Sequence, residues 1–221
     1  MAIYVTSDAH GHVRALDEAL SKISLASDDT LYVLGDMIDR GPDPVGVIKL
    51  VRSLPNARVL KGNHEQIMLD AIIGQDPLDA ETWDINGGWT TREQLNDMEF
   101  EAYEELVRWM AGLPLYAVAE TEERPYLLVH AGIETEAARA FLLEHGVDCA
   151  DGAGATDADR ELLQQMLAVQ SSDDLLWIRH GYWDAPTGLL SAEGEGPVVV
   201  SGHTPTVSLG RYCEVGGLAG L

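Results

Sequence analysis

The 221-residue sequence predicts an α/β fold in a single domain. Three observations carry that expectation. Apolar strand-like runs alternate with amphipathic helical segments, the first three such pairs follow one another directly, and no linker, repeat or low-complexity stretch divides the chain. A strand followed by a crossover helix, repeated in succession, argues for parallel pairing with helices covering the sheet. With 46% hydrophobic residues the chain can bury the core such a fold needs.

The elements follow in order. Strands are expected at 2–7, 30–34, 57–61, 126–129 and 197–201, each apolar and rich in Val, Leu, Ile or Tyr. Helices are expected at 13–23, 44–53 and 65–73, and helical periodicity recurs in 92–95, 99–110, 136–144 and 157–169. Residues 74–125, containing Gly74, Pro77, Gly87-Gly88, Trp83 and Trp89, are expected to border a cleft as a helical and loop segment.

Five short runs stand where apolar segments end: Ser7-Asp8-Ala9-His10-Gly11-His12, Gly35-Asp36-Met37-Ile38-Asp39-Arg40-Gly41, Gly62-Asn63-His64-Glu65, Val129-His130-Ala131-Gly132 and Ser201-Gly202-His203-Thr204. Each sets an oxygen or imidazole donor beside glycine at the C-terminal end of a strand, where open α/β sheets bind ligands. Carboxylate, carboxamide and imidazole together suit borderline divalent ions such as Mn, Fe, Co or Zn; an all-oxygen set points to Mg or Ca, a thiolate set to structural Zn. Two such ions roughly 3.5–4 Å apart need a bridging ligand, and Asp36 is the candidate bridge. A metal pair of this kind lowers the pKa of bound water and stabilises an in-line displacement at phosphorus, so phosphoester hydrolysis is the chemistry these residues suggest.

Taken singly, each residue has a plainer reading. An Asp or Asn at a strand end is ordinarily a turn or cap residue; the joint occurrence of five runs points to ligands instead. His12 opens the first helix and reads as a capping or rim residue. His145 precedes Gly146 at a helix end, where an imidazole favours the C-terminal dipole. The tryptophans read as core or cleft wall.

The order of these motifs resembles that of the calcineurin-like metallophosphoesterases, and within them the bacterial and phage serine/threonine phosphoprotein phosphatases. The likeness runs from Asp8 to Thr204. Lesser segments agree with it: Trp83-Asp84-Ile85-Asn86-Gly87-Gly88 followed by Thr91, Leu113-Pro114-Leu115-Tyr116, and Leu176-Trp177-Ile178-Arg179. The resemblance implies a sandwich of two mixed β-sheets flanked by helices. It implies that Asp8 and His10 bind a first metal, that Asp36 bridges, and that Asn63, His130 and His203 bind a second, with Mn as the ion and Fe, Zn, Co or Ni as substitutes. His64 is then the general acid with Asp39 as its orienting carboxylate, Arg40 and Arg179 hold phosphate oxygens, and a metal-bridging hydroxide attacks phosphorus directly.

Two departures qualify the likeness. Lys61 stands before Gly62 where many relatives carry arginine. The segment from Arg211 to Leu221 is short and glycine-rich where relatives close the sheet with a longer strand pair. His180 matches no family ligand.

The expected function is dephosphorylation of phosphoserine or phosphothreonine in a protein or peptide, with symmetrical diadenosine tetraphosphate hydrolysis as the alternative inside the same chemistry. Glu65 and Asp39 tip the expectation to the phosphatase, because tetraphosphate hydrolases tend to carry Asp at the first position and often no acid at the second. Pro205, two residues after His203, argues against the nucleases and cyclic phosphodiesterases of the superfamily. A catalytically silent binding module is the alternative of another class, and the full set of six donors opposes it.

Composition points the same way. A formal charge of −23, from 37 acidic and 14 basic residues, opposes attraction to nucleic acid or an anionic membrane surface. Acidic runs such as 99–105 read as solvated faces. The first strand begins at residue 2, no apolar run reaches membrane-spanning length, and Cys149 and Cys213 are too few for a disulfide framework, so a cytoplasmic enzyme is expected.

Overall fold

Strand β1 (Ile3–Thr6) carries apolar residues up to a turn at Asp8, and helix α1 (Val13–Ile23) follows it. The pattern repeats as β2 (Thr30–Val33) with α2 (Pro44–Ser53) and β3 (Ala57–Val59) with α3 (Asn63–Ile73). In this computed structural model the described residues are 1–74, 76–179, 182–183 and 186–205. His180, Thr206, Cys213 and the whole segment from Arg211 to Leu221 lie outside the described residues.

The chain divides into two compact units, Met1–Pro114 and Leu115–Leu221. In the first, β2 lies between β1 and β3, and both pairings are parallel, with Ile3 opposite Thr30 and Leu31 opposite Ala57. This is the pairing that successive strand–helix repeats require. Pro44 at the first turn of α2 and the Asp43 side chain, which accepts the Gly46 N–H, begin that helix where the sequence does. Helices α4 (Pro77–Ile85), α5 (Trp89–Asn96) and α6 (Phe100–Ala111) complete the unit around a core that includes Leu31, Val33, Met37, Ile38, Ile48, Met68 and Met110.

The second unit holds a mixed sheet. Strands β4 (Tyr116–Glu120) and β5 (Pro125–Val129) form an antiparallel hairpin, Tyr116 opposite Val129, and β6 (Val198–Val200) joins β5 in parallel, Tyr126 opposite Val198. Helices α7 (Thr135–Glu144), α8 (Arg160–Ala168) and α9 (Ser172–Trp177) pack with it around Leu127, Val129, Ile133, Leu142, Leu163 and Leu167. The α/β fold with two sheets flanked by helices is therefore as expected; the resemblance implied that both sheets are mixed, whereas among the described residues the first is wholly parallel and the second alone is mixed. β4, α4 and α9 are additions to the sequence reading: β4 and α4 both lie in the 74–125 segment, where helix and loop were expected to border a cleft. Among the described residues, no helix is long and apolar enough to cross a membrane.

Candidate metal centre

The turns after β1 and β2 run side by side. Asp8 N–H donates to Gly35 O, His10 N–H to Asp36 O and Gly11 N–H to Met37 O at 2.9–3.1 Å, extending the strand pairing past the strand ends. Along these turns Asp8, His10, Asp36, Asp39 and Arg40 lie in the left-handed region, with φ between 41° and 70°. Each such residue costs about 1–2 kcal/mol, a strain that persists where the surroundings over-determine it and that gathers at functional sites. Among the described residues, the positive-φ residues other than glycine are all ones the sequence marks as site candidates except Ser24; the sixth is His203, in the second unit.

A carboxylate holds this geometry from beneath. Glu65, wholly buried, accepts the backbone N–H groups of Asp36, Met37 and Gly62, each at 2.8 Å. Glu65, at the third position of α3, reaches back to the N–H of the N-cap Gly62, the glutamate half of a capping box, so the bond that starts α3 also ties it to the turn after β2. The amide of His64 then donates to Asp36 Oδ1 at 3.0 Å, and the N-terminus of α3 faces the Asp36 carboxylate.

His10, Asp36 and His64 offer donor atoms that all lie within 4.8 Å of one another. His10 Nδ1–H donates to Ile38 O at 2.9 Å, which leaves Nε2 as the acceptor and places it 3.5 Å from Asp36 Oδ2. A backbone carbonyl fixing one ring nitrogen is the usual support of a ligating imidazole. Burial lowers the His10 pKa to about 4, with the neighbouring His64 and Arg40 acting in the same sense, so the ring is neutral at pH 7. Burial, then the nearby Glu65 and Asp8 carboxylates, push the Asp36 carboxyl well above its ordinary range. A buried acid crowded by like charge beside a neutral imidazole fits a divalent cation, which relieves the repulsion and takes both donors.

His64, also wholly buried, has its Nδ1 2.7 Å from Asp39 Oδ2. The exposed Arg40 reaches back over both rings, its guanidinium donating to His10 Nε2 at 3.0 Å and to His64 Nε2 at 2.7 Å. Asn63 is buried at the first position of α3. Lys61 Nζ is engaged by Gln66 Oε1 and Ala111 O at 3.3–3.4 Å, so its ammonium serves the packing of α3 and α6.

In the second unit, His130 directly follows β5 and His203 follows β6, with Gly202 N–H donating to His130 O at 2.8 Å. Arg179 Nε donates to His203 Nε2 at 3.0 Å; an arginine only donates, so His203 carries its proton on Nδ1 and gives it to His130 Nε2 at 3.2 Å. The structure thus brings Asp8, His10, Asp36, Asp39, Arg40, Asn63 and His64 together in the first unit, and His130, His203 and Arg179 in the second. His145 caps α7, Nδ1–H donating to Phe141 O at 2.8 Å, in keeping with a structural role. His12 takes the N-cap position of α1 without a side-chain capping bond.

Two partners of Asp39 carry no role in the sequence reading. Thr91 Oγ1 donates to Asp39 Oδ1 at 2.6 Å, and Trp83 Nε1 lies 3.1 and 3.2 Å from the two carboxylate oxygens. They stand 52 and 44 residues from Asp39. No local pattern links them; the only signal was that both fall in the Trp83 to Thr91 segment.

Strained turns at parallel strand ends, a neutral imidazole, a crowded buried carboxylate and an oriented histidine beside an arginine describe a metal-dependent hydrolase of phosphoesters. The calcineurin-like phosphoesterase family model matches residues 1–217. The chain belongs to that family, whose members use divalent metal ions. Among its relatives, a symmetrical bis(5'-nucleosyl)-tetraphosphatase of Proteus mirabilis is 30% identical over 219 residues, a match covering 96% of this chain and 68% of that protein. Its counterpart in Erwinia tasmaniensis is 32% identical over 136 residues, covering 60% of this chain and 45% of that one. A metallophosphoesterase crystal structure from Sphaerobacter thermophilus is 24% identical with a TM-score of 0.42, covering 59% of this chain and 46% of that one.

The relatives correct one expectation. A phosphorylated protein or peptide was expected as the substrate, whereas these curated relatives are named for dinucleoside tetraphosphates. The physical reason for the error lies in the two residues that decided it. Glu65 and Asp39 are wholly buried, one bound to backbone N–H groups and the other to His64, Thr91 and Trp83. Residues that face the protein interior build the site and do not read the substrate.

Proposed function

We propose that the chain hydrolyses dinucleoside tetraphosphates at the centre of the phosphate chain, releasing two nucleoside diphosphates. The observation that supports this reading is the similarity to a symmetrical bis(5'-nucleosyl)-tetraphosphatase across 96% of the chain. The proposed donor set for two divalent ions is the one the motifs imply: Asp8, His10, Asp36, Asn63, His130 and His203, with Mn as the proposed metal. When bound, such ions activate water and offset the charge that develops on phosphorus.

The chain's own groups supply the rest. The Arg40 guanidinium, a planar fork already over His10 and His64, binds non-bridging phosphate oxygens, and Arg179 is proposed for the same task. His64 is held through Nδ1 by Asp39, while its Nε2 accepts from Arg40; once Arg40 turns to the phosphate, Nε2 is open to take up a proton and pass it to the departing oxygen. Water adds its hydroxyl to one central phosphorus and gives up its other proton to solvent, the bond to the bridging oxygen breaks, that oxygen leaves with the proton from His64 on the second nucleoside diphosphate, and solvent returns a proton to His64.

The test is product analysis after the Mn-loaded protein is incubated with diadenosine tetraphosphate. ADP as the sole nucleotide product is expected. ATP with AMP, or intact substrate, overturns the proposal.

A further inference from the structure

We propose that Thr91 and Trp83 are positioning residues for proton transfer: by clamping the Asp39 carboxylate, they hold His64 with Nδ1–H on Asp39 and Nε2 on the Arg40 side, where it faces the departing oxygen once Arg40 engages the phosphate. This rests on the reading of His64 as the proton donor.

The directions of the hydrogen bonds carry the argument. Asp39 N–H donates to Thr91 Oγ1 at 2.9 Å, which occupies a lone pair of that hydroxyl. The single hydroxyl hydrogen is then free for Asp39 Oδ1, 2.6 Å away. Thr91 therefore grips Asp39 at two points, backbone and side chain, and the carboxylate cannot rotate without breaking one of them. The Trp83 indole, a donor only, straddles both oxygens at 3.1 and 3.2 Å. Oδ2 is thereby left facing His64 Nδ1 at 2.7 Å. Asp39, His64 and Thr91 are wholly buried and Trp83 is nearly so, so no solvent competes for these bonds. Charge-assisted bonds in such surroundings are short and directional.

The same segment is tied to the neighbouring arginine. Arg40 N–H donates to Gly87 O at 3.1 Å, and Gly87, at φ +93°, packs so closely that an added Cβ would stand 3.0 Å from Arg40 Cγ. The stretch from Trp83 to Thr91 thus sets both the residue that orients His64 and the residue proposed to hold phosphate.

A network that merely supports the fold and one that aims a proton donor differ in leaving-group dependence. Turnover of aryl phosphate esters of graded leaving-group acidity should show it, with phenyl phosphate needing the proton and nitrophenyl phosphate not. For Thr91→Val and Trp83→Phe, kcat on phenyl phosphate should fall about tenfold, within the range general acids contribute, while kcat on nitrophenyl phosphate and both KM values change less than about twofold. Thr91→Ser, which keeps the hydroxyl, should restore the wild-type pattern. Equal losses on both esters, or no loss in either variant, would overturn the proposal.

A second readout needs no turnover. In the nitrogen-edited NMR spectrum the His64 Nδ1 proton should be shifted downfield and protected from exchange, and Trp83→Phe, the variant that spares the Asp39 backbone bond, should move it upfield. An unmoved resonance also overturns the proposal. Wild-type protein that hydrolyses no phosphoester, with the resonance still responding to the variant, would instead indicate failure of the proposed function.

Discussion

Glu65 takes the backbone N–H of Asp36 at 2.8 Å, and through that bond a helix N-terminus and a strand end become one rigid piece. The same carboxylate takes Met37 and Gly62. Glu65→Ala would leave these buried donors without an acceptor, each at about 1–3 kcal/mol, so a loss of at least about 3 kcal/mol is expected. Urea denaturation of the variant against wild type measures it. A midpoint shift too small for even one lost bond would show that water replaces the carboxylate.

Gly62 is expected to be irreplaceable for a different reason. A Cβ there would lie 2.2 Å from Asp36 Oδ1 and 2.4 Å from Asp36 N, so even alanine must drive the start of α3 away from the carboxylate. Displacing a supporting group of this kind typically costs about 10–100-fold in metal affinity. Calorimetric titration of Mn into the Gly62→Ala protein should show that loss, with far-UV dichroism confirming that helices and strands persist. Wild-type affinity would mean that Asp36 is not a ligand.

Much of this was legible in the sequence, and the limits have physical causes. α1 and α2 occupy 13–23 and 44–53 as expected, because apolar periodicity and the Asp43-Pro44 start signal are local. α4 begins with the same signal, Asp76 capping Leu78 N–H ahead of Pro77, and could have been read. β4 carries two alanines and a glutamate among its five residues, types depleted in strands, and its partner β5 makes it a strand. The donors Asp8, His10, Asp36 and Asn63 were visible because each lies in a short glycine-containing run that follows an apolar strand. Thr91 and Trp83 were not, since only tertiary packing brings them to Asp39. Substrate class was misjudged from Glu65 and Asp39 because sequence alone does not show that both point inward.

Acid should act on the metal-free protein in two separate windows, and the lower belongs to Asp29. Its carboxylate accepts Ala2 N–H at 2.6 Å and Ala26 N–H at 3.0 Å, and these bonds hold its pKa below the ordinary 3.8. A lowered carboxylate pKa contributes stability that is present above 3.8 and lost as pH falls through the folded value. Asp29→Asn should therefore be less stable than wild type at neutral pH, with the gap closing below that range. Thermal melts across the acid series give the difference, and a gap that does not depend on pH would refute the assignment.

The upper window belongs to His10 and has the same sign from the opposite cause. In the unfolded chain its imidazole takes up a proton near 6.5, whereas in the folded protein burial delays protonation to about 4. Between those values the unfolded state binds the extra proton, so stability falls as pH drops from 6.5 toward 4 and is undiminished above 6.5. The shift from 6.5 to about 4 corresponds to at most about 3–4 kcal/mol, since one pKa unit is worth about 1.4 kcal/mol. His10→Asn removes the titrating group, and its chelator-treated form should lose less stability than wild type between pH 6.5 and 4. Adding Mn to wild type should steepen the pH dependence, because the ion requires the neutral ring and protons compete with it. Parallel denaturation series for the two proteins, with and without Mn, decide the matter. Identical slopes in the absence of metal would place the His10 proton uptake at its ordinary value and remove the imidazole from the set of preformed donors.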